Sequence, residues 1–488
     1  MRVLITGATG SVGRALARVL RREGHGVVGA VRDTTRARNA LGPEIELVDI
    51  GDDTAMRAAV ERADAIVNLA GEGIADKPWT QARKRALYES RVTLTRRLSE
   101  YVRGARRPPR VLVSASAIGI YDDVGSMAQD EQSLPALGFL GELCAEWEEA
   151  ALRSRSEWTR VVCLRIGVVL DAESGALAKI LPVFRLGLGG RLGTGRQYFS
   201  WIHLDDLLQV ILFALRNEAL NGVVNATGPR PVDNRELTRA LGKALDRPAL
   251  LAVPAFALRL AMGQRADLML KSQRIVPSAL ERAGFRFRHR SIDEALGEIR
   301  TRLRDSTRIS PCPTREHGEP RRATHVLEQV TDLAAPLEEV FPFFARAQNL
   351  GWITPPWMGF AILGTPPEDV REGTIIEYDI KLGPLPLRWR TRIAKFKPGV
   401  LFVDNQERGP YSLWWHEHHF EAHEGGTRMT DRVLIRLPLG RLGSWVAGAV
   451  VHSMLRRIFG YRAQAMVQRF GNRREVAHAR LVAQDAAQ

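Results

Sequence analysis

The sequence predicts an α/β protein built on a doubly wound parallel sheet, followed after a linker by a separate α+β domain. Three observations carry that reading. Over the first 170 residues, short and nearly continuous apolar runs alternate with amphipathic helical segments, as expected of strands covered by helices on both faces. The first run turns through Gly7, Gly10 and Gly13 directly into a helix. Beyond residue 323 the apolar residues switch to strict alternation, the mark of half-buried antiparallel strands.

Val3-Leu4-Ile5 is the first strand, Val12, Leu16, Val19 and Leu20 stripe the helix after it, and Val27 to Val31 is the second strand. A dinucleotide site needs this order. Glycines let the backbone approach a pyrophosphate, and the helix N-terminus offers it N–H groups and a partial positive charge. Gly7, Gly10, Val12 and Gly13 in the turn, with Val31 and Arg32 at the end of the second strand, are therefore candidate cofactor-binding residues. An acidic residue at that strand end would accept hydrogen bonds from a ribose 2′-OH, whereas Arg32 can pair with a 2′-phosphate. The sequence thus favours NADP, with NAD as the alternative.

Glu44 to Val48 reads as a third strand and Ala65 to Leu69 as a fourth, with Asp49 placed to reach the adenine end of a bound nucleotide. Trp79 to Val102 is a long basic helical segment holding Arg83, Arg91 and Leu94. Val111-Leu112-Val113 is a fifth strand that delivers Ser114, Ala115 and Ser116 to the same sheet edge, with Tyr121 a few residues on. Ser116 and Tyr121 are the catalytic candidates, since a hydroxyl there can hydrogen-bond a substrate carbonyl or alcohol. Capping of the loop is the competing role for the same groups.

The motifs TGATGSVG (Thr6 to Gly13), NLAG (Asn68 to Gly71), VSASAIGIY (Val113 to Tyr121), LRIGVVL (Leu164 to Leu170) and SWIHLDDL (Ser200 to Leu207) resemble the extended short-chain dehydrogenase/reductase superfamily. NLAGEGIADKPW, the pair Ser90-Arg91, FLGELCAEWEEAA and FRLGLGGRLGTGRQYFSWIH resemble its atypical epimerase family branch, over about residues 1–300. The resemblance implies an NADP-dependent oxidoreductase or epimerase with a small-molecule substrate, and adds Leu69, Ala70, Arg91 and Val169 as cofactor contacts. It also implies a small C-terminal lobe over about 245–300 that, with the Gly187–Gly190 loop and Trp201–His203, walls a substrate cleft. One departure stands out. The superfamily's proton-transferring tyrosine and the lysine four residues later should fall in FLGELCAEWE, where the chain has Phe139 with Leu143 or Leu140 with Cys144. Ser116, Tyr121 and Glu142 are the protic groups left nearby. A catalytically degenerate NADP(H) sensor or ligand carrier is the alternative function.

At 488 residues, 45% hydrophobic and 26% charged, the chain should hold two or three soluble domains. Its formal charge of +15 comes from arginines scattered along the whole length without a nucleic-acid motif, so no nucleic-acid partner is expected. Met1-Arg2 runs straight into the first strand, and the uncharged window Leu442 to Leu455 is too short to span a membrane. Cys144, Cys163 and Cys312 are odd in number and unpaired in spacing, which fits the reducing cytoplasm and argues against disulfides or structural zinc.

Residues 301–322 are rich in proline and charge with little to bury, and are expected to be a linker. The second domain is expected over 323–472, with 473–488 as a tail. Leu387, Trp389, Thr391 and Ile393 alternate with arginines, Met429 to Ile435 alternates similarly, and a long helical stretch follows from about Leu439 to Phe470. With VTDLAAPLEEVFPFF and YSLWWHEHHFE, this order resembles the helix-grip fold of the polyketide-cyclase/START-like superfamily, which implies an apolar cavity and a hydrophobic ligand. His416, Glu417, His418 and His419 miss the zinc-protease spacing H-E-x-x-H because Phe420 occupies the last position. His416 and His418 share one strand face and are read as polar lining of that cavity; no metal is expected.

Overall fold

The computed structural model describes residues 1–172, 174–305, 307–312, 323–382, 385–423, 426–438 and 440–471. The chain forms two compact units: Met1–Ala17, His25–Arg32 and Leu47–Arg300 make the first, and Arg18–Gly24, Asp33–Glu46 and Thr301 onward make the second.

The first unit is organised by seven strands: β1 (Arg2–Thr6), β2 (Gly26–Val31), β3 (Glu46–Asp49), β4 (Ala65–Asn68), β5 (Val111–Ala117), β6 (Arg160–Ile166) and β7 (Gly222–Ala226). Their order is β7-β6-β5-β4-β1-β2-β3, so the direction of winding reverses between β1 and β4. Ligands of such sheets bind at that reversal, beyond the carboxyl ends of the strands. The register explains why the strands read as apolar runs. Leu4 stands beside Val28 and Ile66, Ile66 beside Leu112, and Leu112 beside Val161. This row packs on Met56, Val60, Leu98 and Val102 of the covering helices, each buried side chain contributing about 1.5–3 kcal/mol.

The long helix expected over Trp79 to Val102 is interrupted. It runs as Gln81–Tyr88, a single wide π-helical turn over Glu89–Thr93, and Leu94–Gly104. Helix α1 (Ser11–Arg22) follows the glycine turn, and α2 (Phe139–Leu152) covers β5 and β6. Trp201, Ile202 and His203, expected on a cleft wall, are 1%, 0% and 1% exposed and pair with Val168, Val169 and Leu170. They are interior, in a separate two-stranded parallel sheet with the segment that follows β6.

The His203 ring lies 4.0 Å from that of His289 between centroids, tilted by 32°. His289 Nδ1 lies 2.8 Å from Asp206 and Nε2 lies 2.5 Å from Glu298, which Arg288 also pairs at 3.4 Å. Burial alone would lower the His289 pKa, but the hydrogen bonds to the two carboxylates outweigh it and raise it to about 9. A pKa raised in the folded state stabilises most below the unfolded value near 6.5 and loses that contribution as pH rises through about 9. Urea midpoints of the first unit should therefore fall by about 3 kcal/mol equivalent between pH 6.5 and 10, and His289→Gln should flatten the slope. An unchanged slope in that variant would remove the assignment.

The second unit is an eight-stranded antiparallel sheet: β8 (Arg308–Pro311), β9 (His325–Leu333), β10 (Ala361–Ile362), β11 (Ile375–Leu382), β12 (Leu385–Lys397), β13 (Leu401–Arg408), β14 (Leu413–His423) and β15 (Gly426–Arg436). Their order is β8-β9-β15-β14-β13-β12-β11-β10. Helix α3 (Leu337–Phe344) follows β9, and α4 (Gly440–Phe470) ends the unit. Leu455, Phe459, Arg462, Met466 and Phe470 form the buried stripe of α4, at helical spacing. Leu455 and Phe459 close the core formed by Leu327, Trp389, Trp414 and Val433.

The linker is shorter at its start than the sequence suggested. Residues 301–305 finish the helix Ile292–Asp305, and β8 pairs with β9 from Arg308↔Glu328 to Pro311↔His325. Alternating Ile309 and Pro311 made too weak a pattern to read as a strand, and pairing with β9 supplies what propensity lacks. The rest of the expected linker, 313–322, and the expected tail, 473–488, lie outside the described residues.

Candidate functional site

The glycine turn between β1 and α1 is built around close backbone approach. Gly7 has φ +68°, and a Cβ there would stand 2.7 Å from the Leu69 carbonyl and 2.9 Å from the Ala70 nitrogen. A Cβ on Gly13 would stand 2.3 Å from the Gly7 oxygen. Gly10 N–H donates to Gly7 O at 2.9 Å as the chain turns into α1, and the first-turn N–H groups of a helix have no partner within it. The turns after β1 and β4 are thus pressed together at the winding reversal.

A buried polar chain fixes their spacing. Thr6 Oγ1 donates to Asn68 Oδ1 at 2.6 Å, and Asn68 Nδ2 donates to Thr95 Oγ1 at 2.9 Å and Ser114 Oγ at 3.0 Å. Trp147 Nε1 donates to the same threonine at 3.0 Å. Strands β1, β4 and β5 are in this way pinned at their carboxyl ends, while Gly7, Gly10, Val12, Leu69 and Ala70 keep some exposure there, as does Val169 in the short strand Val168–Leu170 after β6. Gly13 and Val31 are buried beneath them.

Arg32 leaves the end of β2 with 84% of its side chain exposed and pairs with Glu72 at 3.2 Å. Glu72 also takes Arg83 at 3.1 Å. The hydrogen bond from Arg83, with that from Arg32, holds the Glu72 carboxyl below its ordinary range against the effect of burial. An exposed pair of this kind is worth about 0–1 kcal/mol, so Arg32 can exchange its partner for a phosphate at little cost. Arg91 sits in the π-helical turn, donates to the Glu72 carbonyl at 2.7 Å and lies over the Trp147 ring at 5.3 Å. Its guanidinium therefore packs under the turn after β4.

The structure places Ser116 and Tyr121 together, in a buried network. Ser116 Oγ donates to Glu148 Oε1 at 2.7 Å, and Arg165 binds both oxygens of Glu148 at 2.8 Å. Arg165 also donates to the Tyr121 hydroxyl at 2.8 Å, which donates to Asn225 Oδ1 at 2.7 Å. Ser116 and Tyr121 are 3% and 1% exposed. Burial pushes the Tyr121 hydroxyl up to about 12 in spite of Arg165. Through these hydrogen bonds the two hydroxyls join β5 and the loop after it to β6, β7 and α2. Glu142 lies elsewhere, at the start of α2, where its carboxylate accepts from Gly138 N at 3.2 Å.

In the second unit an apolar cavity of about 160 Å³ is lined by Phe344, Tyr378, Trp389, Tyr411 and Phe459 among others, with Asp404, His416, His418 and Arg462 as its polar members. Burial, helped by neighbouring His416, keeps His418 below its ordinary pKa. Burial would do the same to His416, but Asp404 and Asp431 outweigh it and raise that ring.

Comparison with known proteins agrees with the first unit. An epimerase family protein of Mycobacterium leprae is 41% identical over 301 residues, 62% of this chain and 96% of the relative. The chain belongs to the epimerase family. Residues 3–226 match the NAD dependent epimerase/dehydratase family, and residues 253–299 match a domain of unknown function, DUF1731. A chloroplastic epimerase family homologue from Arabidopsis thaliana is 37% identical over 302 residues, 61% of this chain and 86% of that protein. The crystal structure of human epimerase family protein SDR39U1 with NADPH is 32% identical, covers 62% of this chain and 99% of that one, and superposes with a TM-score of 0.57. Among the described residues no helix is long and apolar enough to cross a membrane.

Sequence reasoning missed Glu148, Arg165 and Asn225. The signal was present for one of them: Arg165 interrupts the apolar run Val161 to Val169, and a charge inside a buried strand calls for a partner. Asp404 and Asp431, which meet His416 and His418 from flanking strands, could be found only from the pairing of β13, β14 and β15.

Proposed function

We propose that this epimerase family member binds NADP(H) along the carboxyl edge of β1, β2 and β4 and acts as an oxidoreductase or epimerase on a small molecule. One observation carries the reading. The glycine turn, pressed on the Leu69-Ala70 turn, leaves Arg32 exposed and weakly paired where an adenosine ribose would end. Gly7, Gly10, Val12 and Gly13 would hold the diphosphate, with Arg91 facing a phosphate, Val31 and Arg32 the adenosine side, Leu69 and Ala70 a ribose, and Val169 the nicotinamide. The nicotinamide supplies hydride transfer when bound, while the chain's residues bind it, orient it and exclude water. Binding of NADPH by the human relative SDR39U1 supports the same cofactor here.

Titration of the purified chain with NADPH and NADH tests this. Arg32→Ala should weaken NADPH by roughly 10- to 100-fold, the worth of a charged hydrogen bond of about 1.5–3 kcal/mol, and leave NADH nearly unchanged. Equal losses for both would overturn the 2′-phosphate role.

A second reading has its own support. Ser116 and Tyr121, the two candidates for proton transfer, are occupied in the Glu148–Arg165–Asn225 network, as a sensor or carrier that does not turn over its cofactor would allow. Tight NADPH binding without oxidation across a panel of carbonyl compounds would select it. For the second unit we propose a START-like hydrophobic-ligand-binding module over about 323–472, on the strength of the aromatic cavity beneath α4. Buried, reduced Cys144 and Cys163 fit a cytoplasmic setting.

A further inference from the structure

The polar end of the second unit's cavity is an arrangement that neutral side chains alone do not satisfy. Three neighbouring strands bring it together: Asp404 on β13 stands opposite His416 on β14, and His418 on β14 stands opposite Asp431 on β15. His416 Nδ1 and His418 Nε2 both point at Asp404 Oδ2, at 3.2 and 2.9 Å. The other nitrogen of each ring meets Asp431 Oδ1, His416 Nε2 at 3.1 Å and His418 Nδ1 at 2.7 Å. Each imidazole is therefore held between two carboxylate oxygens.

A neutral imidazole has one N–H and one lone pair. Two neutral rings can thus satisfy only two of the four nitrogen to carboxylate contacts; Arg462 donates to His418 Nδ1 at 3.2 Å and so meets a third lone pair, which leaves that of His416 Nδ1 set against Asp404 at 3.2 Å. Protonating both rings would set two imidazolium groups 3.8 Å apart, tilted by 43°, and turn an N–H of His418 against the Arg462 guanidinium that donates to it. A single divalent cation on the Asp404 side repairs it with the same total charge. It would take the lone pairs of both rings and one carboxylate oxygen, while both far N–H groups donate to Asp431 and Arg462 turns from His418 Nδ1 to Asp431 Oδ2, 3.7 Å from its Nε.

We propose that Asp404, His416 and His418 bind one divalent first-row transition metal, with Asp431 as the carboxylate that orients both rings. The three donor atoms lie within 4.8 Å of one another, a spacing that a small inward adjustment closes around a metal with bonds of about 2.0–2.2 Å. Two imidazoles and one carboxylate suit zinc, cobalt or ferrous iron better than calcium or magnesium. A carboxylate on the far nitrogen of each ligating histidine is the usual outer support of such sites. The asymmetry also fits: Asp404, His416 and His418 line the cavity, whereas Asp431 is fully buried behind them. The remaining coordination positions face the aromatic cavity, so its ligand would be a small apolar molecule carrying one oxygen or nitrogen donor.

The test uses the untagged full-length chain, stripped with a chelator and titrated with Co²⁺. The expected result is one Co²⁺ per chain, a visible absorption of the intensity given by four- or five-coordinate cobalt, and a raised melting temperature. Asp404→Asn, which keeps the side-chain volume, should weaken binding at least 100-fold with unchanged far-ultraviolet circular dichroism. Asp431→Asn should weaken it roughly 10- to 100-fold while keeping the one-to-one ratio. The chain has 11 histidines, so Co²⁺ uptake that Asp404→Asn leaves intact would be binding elsewhere and would overturn the proposal. No cobalt absorption from folded wild-type protein would overturn it too, without recourse to any variant.

Discussion

Replacing Arg165 with methionine should destabilise the first unit by about 3–5 kcal/mol, because it strands the Glu148 carboxylate in the interior. Glu148 is 6% exposed and takes two hydrogen bonds from Arg165 and one from Ser116. With the guanidinium gone, one serine hydroxyl is left to solvate a full charge. Glu148→Gln in the same background should recover much of the loss, since replacing both ends of a buried pair costs far less than removing one. Urea denaturation of the wild type, the two single variants and the double variant closes the cycle. Additive losses in that cycle would mean that the pair does not act as a unit. Tyr121→Phe removes the hydrogen bonds to Arg165 and Asn225, and a structural role for that hydroxyl predicts lower stability with unchanged affinity for NADPH.

The second large effect is expected at the glycine turn. Gly13→Ala should weaken NADPH at least 100-fold and destabilise the fold by about 1–3 kcal/mol. Its added methyl would lie 2.3 Å from the Gly7 oxygen and 2.9 Å from the Ala8 Cα. Both obstacles are backbone, so the turn itself has to move, and with it the N–H groups that would face a diphosphate in the proposed site. Gly10→Ala gives the graded comparison. Its nearest obstacle is the same oxygen at 3.2 Å, a clash that a shift of a few tenths of an ångström relieves. Isothermal calorimetry with NADPH should rank the affinities wild type, Gly10→Ala, Gly13→Ala. Equal affinities for all three would show that the diphosphate sits elsewhere.

The sheet was legible because its strands are buried on both faces, so that Val3-Leu4-Ile5 and Val111-Leu112-Val113 stand out as apolar runs without alternation. The glycine turn was legible because close approach leaves no room for side chains, and the sequence records that directly. Partners across the sheet were not. Glu148 lies 17 residues from Arg165 and Asn225 lies 104 from Tyr121, and no local pattern pairs positions so distant. The place of Ser116 at a strand end, with Tyr121 a few residues on, fixes where a hydroxyl is but not what it touches. Similarly, alternation put His416 and His418 on one face, while Asp404 and Asp431 reach them through the register of two neighbouring strands.

The wide turn at Glu89–Thr93 has a consequence for which side chain the helix sends inward. Leu87 and Val92 are both fully buried, five positions apart, whereas an uninterrupted α-helix would bring the fourth residue after Leu87 round to that side. The fourth is Arg91. By letting the backbone fall one step out of phase, the turn hands the interior to a valine and frees the arginine to reach sideways, beneath the loop that follows β4.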